Sequence, residues 1–247
     1  MRIGNKIEAL ELTMAKLGNP SMLIYPTLIW DDQDGATLID TGVPGQFEDI
    51  KAAIEKTGLS FSDLRRVILT HQDVDHIGSL ADILEAGNGK IDVYAHADDV
   101  PYIEGEKPLI KFNISRFEGL FASLPEDDRE KAKAQFAKLQ TGKVNHTLED
   151  GETFPFHKGI KVIHTPGHTP GHISLFIEGE NLLIAGDAMV VDEEGQLQGP
   201  REAVTPNMDQ AMASVAKLSE YPIDRVLCYH GGLYGPNAAL RMKELSK

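Results

Sequence analysis

Short apolar runs alternate with amphipathic stretches through the first part of the chain. The runs predict strands at Ile7 to Leu12, Met22 to Trp30, Ala36 to Ile39, Val67 to Leu69 and Ile91 to Ala95. Apolar residues recur at helical spacing from Phe47 to Lys56, and again after His76 as far as about Ala86. The pattern therefore predicts a meander of strands that leads into a β-α-β-α-β run.

Between about residues 98 and 141 the strand pattern is replaced by helical spacing. Apolar residues at positions i, i+3, i+4 and i+7 are Phe117, Leu120, Phe121 and Leu124. Pro125 breaks this pattern, and a second helix is marked by Ala132, Phe136 and Leu139. We interpret the segment as an inserted helical hairpin. Its apolar side either packs onto the body of the protein or covers a substrate as a lid, and the two alternatives are compatible.

Strands and helices also follow one another in the second half. The predicted strands are Val144 to Leu148, Ile160 to His164, His172 to Ile177, Asn181 to Ala185 and Arg225 to Tyr229. The predicted helices are Met208 to Leu218 and Asn237 to Leu245. Because both halves contain strands followed by helices, the sequence predicts two sheets packed together with helices outside.

Four side chains that can bind a metal directly follow the apolar run that ends at Leu69. They are His71, Asp73, Asp75 and His76. In extended chain, positions i and i+2 point to the same side, so His71 and Asp73 can share one metal. Asp75 and His76 lie where helical spacing begins and would face a second site. The alternative is a polar loop in which Asp75 only caps the helix, and we favour the metal because further ligand types occur downstream.

Three later strands also end next to residues that can bind a metal. The tandem repeat from Thr165 to His172 leaves either His168 or His172 as a ligand, since spacing does not distinguish them. Asp187 follows the apolar strand that ends at Ala185, and His230 follows the last predicted strand. Taken alone, Asp187 is equally a turn residue and His230 an ordinary histidine at a strand end.

Composition narrows the class of protein. A chain of 247 residues with 41% hydrophobic content suits one large domain or two fused halves, and no separate module is required. Its net charge of −14 argues against a nucleic-acid partner. Cys228 is the single cysteine, which excludes an internal disulfide and a thiolate-rich zinc module. The N-terminus lacks the apolar core of a signal peptide and no run of about 18 apolar residues occurs, so we expect a cytoplasmic protein without a membrane partner.

The motifs taken together resemble the metallo-β-lactamase superfamily over roughly residues 20 to 235. They are Ile39-Asp40-Thr41-Gly42, His71-x-Asp73-x-Asp75-His76, Thr165-Pro-Gly-His168, Gly186-Asp187 and Tyr229-His230-Gly231. The resemblance implies an α/β protein (α+β in some schemes), built as an αβ/βα four-layer sandwich with a two-metal site at the sheet edges. We expect residues 1–247 to form a single domain of this type, with residues 98–141 as the helical insertion.

The resemblance also implies a ligand for each position of the site. One metal would be held by His71, Asp73 and His168, and the other by Asp75, His76 and His230. Asp187 would bridge the two metals. The resemblance selects His168 over His172, and it implies that Asp40 supports the site from outside the ligand set, although Asp40 as a helix or turn cap is the alternative.

One position departs from the pattern of the superfamily, which usually has His-x-His-x-Asp-His. Asp73 replaces the second histidine. Three carboxylates and a bridging hydroxide then balance the four positive charges of two divalent ions, whereas the usual set leaves one positive charge. We expect two divalent ions, zinc first, with manganese or iron as alternatives that the harder ligand Asp73 favours.

The predicted function is that of a metal-dependent hydrolase. A hydroxide that bridges the metals would attack a small ester, lactone or phosphoester, and the catalytic residue Asp75 would orient water or pass a proton to the leaving group. Two alternatives are a di-iron oxidoreductase-like centre, suggested by the acid at position 73, and a non-catalytic metal-stabilised binding protein. The expected partner is a small-molecule substrate. We assign structural or ordinary roles to the four histidines His96, His146, His157 and His164.

Overall fold

The computed structural model describes residues 1–154, 156–157 and 159–247. The strands are β1 (Arg2–Gly4), β2 (Ile7–Ala9), β3 (Leu12–Met14), β4 (Asn19–Ile24), β5 (Thr27–Asp31), β6 (Gly35–Ile39), β7 (Leu64–Ile68), β8 (Asp92–His96), β9 (His146–Leu148), β10 (Thr153–Phe154), β11 (Ile160–His164), β12 (Ile173–Ile177), β13 (Leu182–Ile184), β14 (Val190–Val191), β15 (Leu197–Gln198), β16 (Arg225–Cys228) and β17 (Gly232–Tyr234). The helices are α1 (Phe47–Lys56), α2 (Val74–Ile77), α3 (Leu80–Gly87), α4 (Val100–Ile103), α5 (Glu118–Ser123), α6 (Glu126–Ala137), α7 (Met208–Leu218) and α8 (Ala238–Leu245).

Most strands belong to two sheets. The first has seven strands in the order β1-β2-β5-β6-β7-β8-β9, and it is parallel from β6 to β9. The second has six strands in the order β10-β11-β12-β13-β16-β17, with β13 and β16 parallel. Two small antiparallel sheets, β3-β4 and β14-β15, complete the pairing. Since β6, β7 and β8 run in parallel, their carboxyl ends meet at one edge of the first sheet.

Alternating side chains of the first sheet face two different apolar layers. Leu38 of β6 packs in a core with Ile50 and Ile54 of α1, while its neighbour Ile39 packs in a second core together with Leu227 of β16. This period of two is what a strand buried on both faces requires. The first sheet therefore has helices on one face and the second sheet on the other.

The second sheet repeats this arrangement in the opposite direction. Leu175 of β12 faces the core between the sheets, and Phe176 faces a third core that includes Val215 of α7 and Met242 of α8. The layers therefore run helix, sheet, sheet, helix. The αβ/βα sandwich predicted from the sequence is confirmed.

The predicted strand from Met22 to Trp30 is wrong as a single element. It divides at Tyr25 and Pro26 into β4, which pairs with β3, and β5, which pairs with β2 and β6. Pro26 has no backbone N–H to donate across a sheet, and its carbonyl accepts instead from the Leu10 amide at 2.7 Å. The predicted strand from Ile7 to Leu12 is likewise shared between β2 and β3.

The segment from about residue 98 to 141 contains α4, α5 and α6, and the two stretches with predicted helical spacing correspond to α5 and α6, while residues 104–113 lie in no helix. The helices α5 and α6 are separated at Leu124 and Pro125. Phe121 of α5 and Phe136 of α6 are buried against the first core, with ring centroids 5.2 Å apart. The aromatic side of the hairpin therefore packs onto the body of the protein. No helix in the described part of the chain is long and apolar enough to span a membrane.

Candidate metal centre

The potential ligands lie where strands of both sheets end. His71 and Asp73 follow β7, and Asp75 and His76 lie in α2, which begins directly afterwards. The residues from the second sheet are His168 after β11, Asp187 after β13 and His230 after β16. All seven predicted positions are therefore brought to one region between the two sheets.

The first group of converging side chains consists of His71, Asp73, His168 and Asp187. The Asp73 Oδ2 atom lies 3.3 Å from His71 Nε2 and 3.1 Å from His168 Nε2. His168 Nε2 also lies 3.4 Å from the Asp187 Oδ2 atom. The loops after β7 and β11, which are far apart in the sequence, thus meet at this first group.

The second group consists of Asp75, His76 and His230. His230 Nε2 lies 3.2 Å from Asp75 Oδ2 and 3.5 Å from Asp187 Oδ2, while His76 Nε2 lies 3.4 Å from Asp187 Oδ1. The carboxylate of Asp187 therefore contacts histidines of both groups, which is the position of a bridging ligand.

The donor atoms fit a metal. Four buried ligand atoms have no hydrogen-bond partner, namely His71 Nε2, His76 Nε2, His230 Nε2 and Asp187 Oδ1. Two ligands of a tetrahedral zinc ion, each at about 2.1 Å, are about 3.4 Å apart. The separations of 3.2 to 3.5 Å between these nitrogens and carboxylate oxygens match that value. A buried nitrogen without a partner is costly, and a bound cation removes that cost.

Asp40 orients two of the histidines. It has φ of 63°, a left-handed conformation that Asp tolerates, directly after β6. Its carboxylate accepts hydrogen bonds from the Thr70 amide and hydroxyl, each at 2.8 Å, and from His76 Nδ1 at 2.9 Å. Thr70 Oγ1 also lies 3.1 Å from His71 Nδ1. With Nδ1 engaged, the Nε2 atom of each ring points into the site.

His172 lies next to the site but has both ring nitrogens engaged. Thr165 Oγ1 lies 2.8 Å from its Nδ1, and the Asp187 amide donates to its Nε2 at 3.0 Å. His172 therefore has no lone pair free for a metal, whereas His168 Nε2 faces Asp73 and Asp187. The geometry separates the two histidines that spacing alone leaves equivalent.

Asp99 is a supporting residue that the sequence analysis missed. Its buried carboxylate accepts from the Gln72 amide at 3.0 Å, the Gln72 side chain at 3.1 Å, the Thr169 hydroxyl at 2.8 Å and the Gly171 amide at 2.8 Å. Gln72 lies between His71 and Asp73, and Thr169 follows His168. Asp99 thus ties the two ligand loops together. Asp99 follows β8 at the edge of the sheet where β7 also ends, and this position could have indicated from the sequence that Asp99 lies near the site.

Lys111 was also missed, and nothing in its sequence context marks it. Its ammonium lies 2.5 Å from Asp73 Oδ2 and 2.6 Å from His168 Nε2, and donates to the Val204 carbonyl at 3.2 Å. Arg201 is more exposed and lies 3.4 Å from Asp187 Oδ2. Two cationic side chains therefore approach the ligand set from the solvent side.

The protonation states suit cation binding, with one exception. Burial raises the pKa of Asp73 and of Asp187, but the neighbouring histidines outweigh this effect. The pKa of each carboxyl therefore lies well below its ordinary value. Burial and His76 lower the pKa of His71, so this ring is neutral. Burial also lowers the pKa of His76, but Asp40, Asp75 and Asp187 raise it well above 6.5. A metal must displace a proton from His76.

A cleft of about 470 Å³ opens beside the ligands Asp73 and Asp75. Polar and apolar groups contribute almost equally to its wall, and the apolar side chains include Val74, Leu109, Ile110, Phe112, Phe117 and Val204. Lys111 lines the cleft as well. The space can hold an apolar group of a small molecule next to the candidate metal centre.

Besides His172, four histidines lie outside these two groups. The rings of His96 and His164 stack at 3.9 Å, and with Asp98 they form a further set of neighbouring donor atoms near the surface. His146 stacks on Tyr94 at 4.6 Å, and His157 lies 3.0 Å from both Thr37 Oγ1 and Asp31 Oδ2. The pairing of His96 with His164 was not foreseen.

Fold and site together define a metal-binding α/β protein of the metallo-hydrolase class. The chain belongs to the metallo-β-lactamase superfamily, whose family model matches residues 23–230. A relative named probable metallo-hydrolase YflN, from Bacillus subtilis (strain 168), is 33% identical over 224 residues, which cover 85% of this chain and 80% of the relative. Hydroxyacylglutathione hydrolase GloC from Haemophilus influenzae is 27% identical over 182 residues, 71% of each chain.

Solved structures show the same fold. A metallo-beta-lactamase family protein from Thermus thermophilus has a TM-score of 0.70 at 23% identity, covering 98% of this chain and 78% of that protein. The BLEG-1 B3 metallo-beta-lactamase has a TM-score of 0.67 at 23% identity, covering 93% of both chains. At this identity the likeness concerns the architecture.

Proposed function

We propose that this protein is a metal-dependent hydrolase of a small ester, lactone or phosphoester. The observation that carries the proposal is the position of Asp187, whose two carboxylate oxygens lie 3.4 to 3.5 Å from histidines of both ligand groups. We further propose that His71, Asp73 and His168 hold one ion, and Asp75, His76 and His230 the other. Zinc is the first candidate ion, with manganese or iron as alternatives.

Two bound divalent ions would supply a water of lowered pKa and a Lewis acid for the electrophilic oxygen of the substrate. The protein side chains have separate tasks. Asp75 lines the cleft, and its backbone carbonyl accepts from the Tyr229 hydroxyl at 2.5 Å, which fixes the loop. This position beside the cleft supports a role for the Asp75 carboxylate in accepting a proton from the attacking water and returning it to the leaving group.

The apolar side chains on one part of the cleft wall support a substrate with an apolar acyl or alkyl part. Phe112, Phe117 and Val204 would remove such a group from water, and the reacting bond would lie near Asp73 and Asp75. The name of the relative GloC describes hydrolysis of a thioester, so thioesters belong in the same substrate panel.

The test is metal removal and reloading. Protein stripped with a chelator is reloaded separately with zinc, manganese or iron, and assayed against esters, lactones, thioesters and phosphoesters. We expect hydrolysis of at least one class to return with metal. Equal activity before and after stripping would refute the proposal. Bound iron with a visible absorption band and no hydrolysis would instead indicate redox chemistry.

A variant pair makes the test specific to the site. Asp187→Ala removes the proposed bridge, and we expect kcat/KM to fall by about a hundredfold or more. Glu193→Ala is the matched control, because this carboxylate is exposed and close in sequence. Unchanged turnover in Asp187→Ala, together with a lower unfolding temperature, would show that the centre is structural.

A further inference from the structure

Lys111 makes its contacts with atoms that a metal would also need. Its Nζ lies 2.5 Å from Asp73 Oδ2 and 2.6 Å from His168 Nε2. A metal bound at about 2.1 Å from these two atoms would use the same lone pairs that now accept from the ammonium. The two cations would also lie within a few ångströms of each other with little water between them. The Lys111 ammonium and a metal ion therefore cannot bind Asp73 Oδ2 and His168 Nε2 at the same time.

The lysine is held in place by its surroundings. Its side chain is 18% exposed, and its third partner is the Val204 carbonyl at 3.2 Å. The preceding amide, that of Ile110, donates to Gln72 Oε1 at 3.0 Å, and Gln72 is fixed in turn by Asp99. The backbone that carries Lys111 is therefore anchored to the loop that carries His71 and Asp73.

The pairing also fits the charge of this ligand set. Asp73 adds a negative charge where the superfamily pattern has a neutral histidine, and the Lys111 ammonium is the cation closest to that carboxylate among the described residues. An ammonium group binds a carboxylate more strongly than it binds a neutral imidazole. Asp73 therefore stabilises the Lys111 ammonium at this position more than a histidine would.

We propose that Lys111 is an internal competitor for the first metal site. Its ammonium occupies Asp73 and His168 until a metal displaces it, so the first site binds metal more weakly than the site of Asp75, His76 and His230. The inference rests on the proposed metal centre. It predicts stepwise loading, with the second group filled first and the first group filled only at higher metal concentration.

The experiment measures metal binding rather than turnover. Stripped protein is titrated with zinc, and separately with manganese, by calorimetry against a competing chelator, with elemental analysis of the stoichiometry. We expect two steps in the natural protein. In Lys111→Met the weaker step should tighten by about tenfold or more, as loss of a partly buried ion pair allows, while the tighter step stays within about twofold.

Lys107→Met is the matched control, since it removes the same charge from the same segment. Lys107 is exposed and stacks over the Tyr102 ring at 5.3 Å, with no contact to a ligand. It should leave both steps unchanged. Circular dichroism of the stripped variants establishes that they are folded.

The outcomes separate this inference from the proposed function. The role of Lys111 would be overturned if the natural protein and Lys111→Met each bound their two metal ions with equal affinity, or if the first-site affinity were lower in Lys111→Met. Either result would leave the metal centre intact. Absence of any binding that depends on Asp187 would overturn both.

Discussion

Buried carboxylates around the site differ in what surrounds them. Asp40 and Asp99 each accept several hydrogen bonds from backbone amides and hydroxyls. Asp187 instead faces histidines of both groups and has an oxygen without a hydrogen-bond partner. The first kind of carboxylate positions loops, and the second is available to a cation. Sequence alone does not separate these roles, because all three residues follow strands.

Asp99→Asn should weaken metal binding at the first site selectively. The amide has one acceptor oxygen in place of two, and its NH2 group would face the donors from Gln72, Thr169 and Gly171. We expect a loss of about 10- to 100-fold in first-site affinity in zinc titrations. Asp92→Asn is the control, since that side chain is exposed, lies on the neighbouring strand β8 and belongs to none of the groups of donor atoms. Equal loss in both variants would contradict a positioning role for Asp99.

The raised pKa of His76 predicts how stability of the metal-free protein varies with pH. Burial lowers this pKa, but Asp40, Asp75 and Asp187 outweigh it. The imidazolium therefore stabilises the fold below the unfolded pKa of 6.5, and the stabilisation is lost as pH rises through the higher folded pKa. His71, with its lowered pKa, is neutral in the folded state over this range, and its opposite effect on stability ends once the unfolded imidazole has lost its proton, above its pKa of 6.5.

We therefore expect the unfolding temperature of chelator-treated protein to fall as the pH rises above 6.5 and through the raised folded pKa of His76. Thermal unfolding followed by circular dichroism measures it. Asp40→Asn should flatten the trend, because it removes the carboxylate that contributes most to the raised pKa. An unfolding temperature that rises over this range would be evidence against a charged His76.

At the scale of elements, the spacing of apolar residues predicted the helices and strands whose side chains pack regularly in a core. The helices α1 and α7 and the strand β11 have the predicted bounds. The apolar residues of each helix face one core at helical spacing, and those of β11 alternate between two cores. The short strands β10, β14, β15 and β17 were not predicted, since two or three residues carry too little pattern. The contact of Lys111 with Asp73 was not predictable either, because it depends on how the segment before α5 folds back over the ligand loop.

The segment between α4 and α5 supplies one wall of the cleft, and we propose that it contributes to substrate binding. Ile110 lines the cleft and is 41% exposed. Ile110→Ser should raise KM for substrates with an apolar group by about three- to tenfold, because part of an isoleucine contact is lost, with little change in kcat. Steady-state kinetics on a series of acyl chain lengths measures this.

Ile114→Ser is the control for the same segment. Ile114 is 46% exposed and is not part of the cleft wall. It should leave KM unchanged at every chain length. Equal effects of the two substitutions would mean that the segment acts through its stability and not through contact with the substrate.

At the scale of the whole molecule, the candidate metal centre joins the two halves of the sandwich. His71 and His76 come from the first sheet and its connections, whereas His168, Asp187 and His230 follow strands of the second. The core between the sheets also holds these halves together, through residues such as Ile68 and Leu227. A bound metal would add a second link at the edge of that core.

Metal binding should therefore stabilise the entire fold. A ligand that binds only the folded state at about 100 times its Kd adds about 2.7 kcal/mol, and for a chain of this size that raises Tm by about 5–10 °C. Thermal unfolding with zinc and with chelator measures the difference. Asp187→Ala should abolish most of it, because Asp187 is the ligand that contacts both groups. A zinc-dependent shift that survives in Asp187→Ala would show that the other ligands of each group hold the ions without a bridging carboxylate.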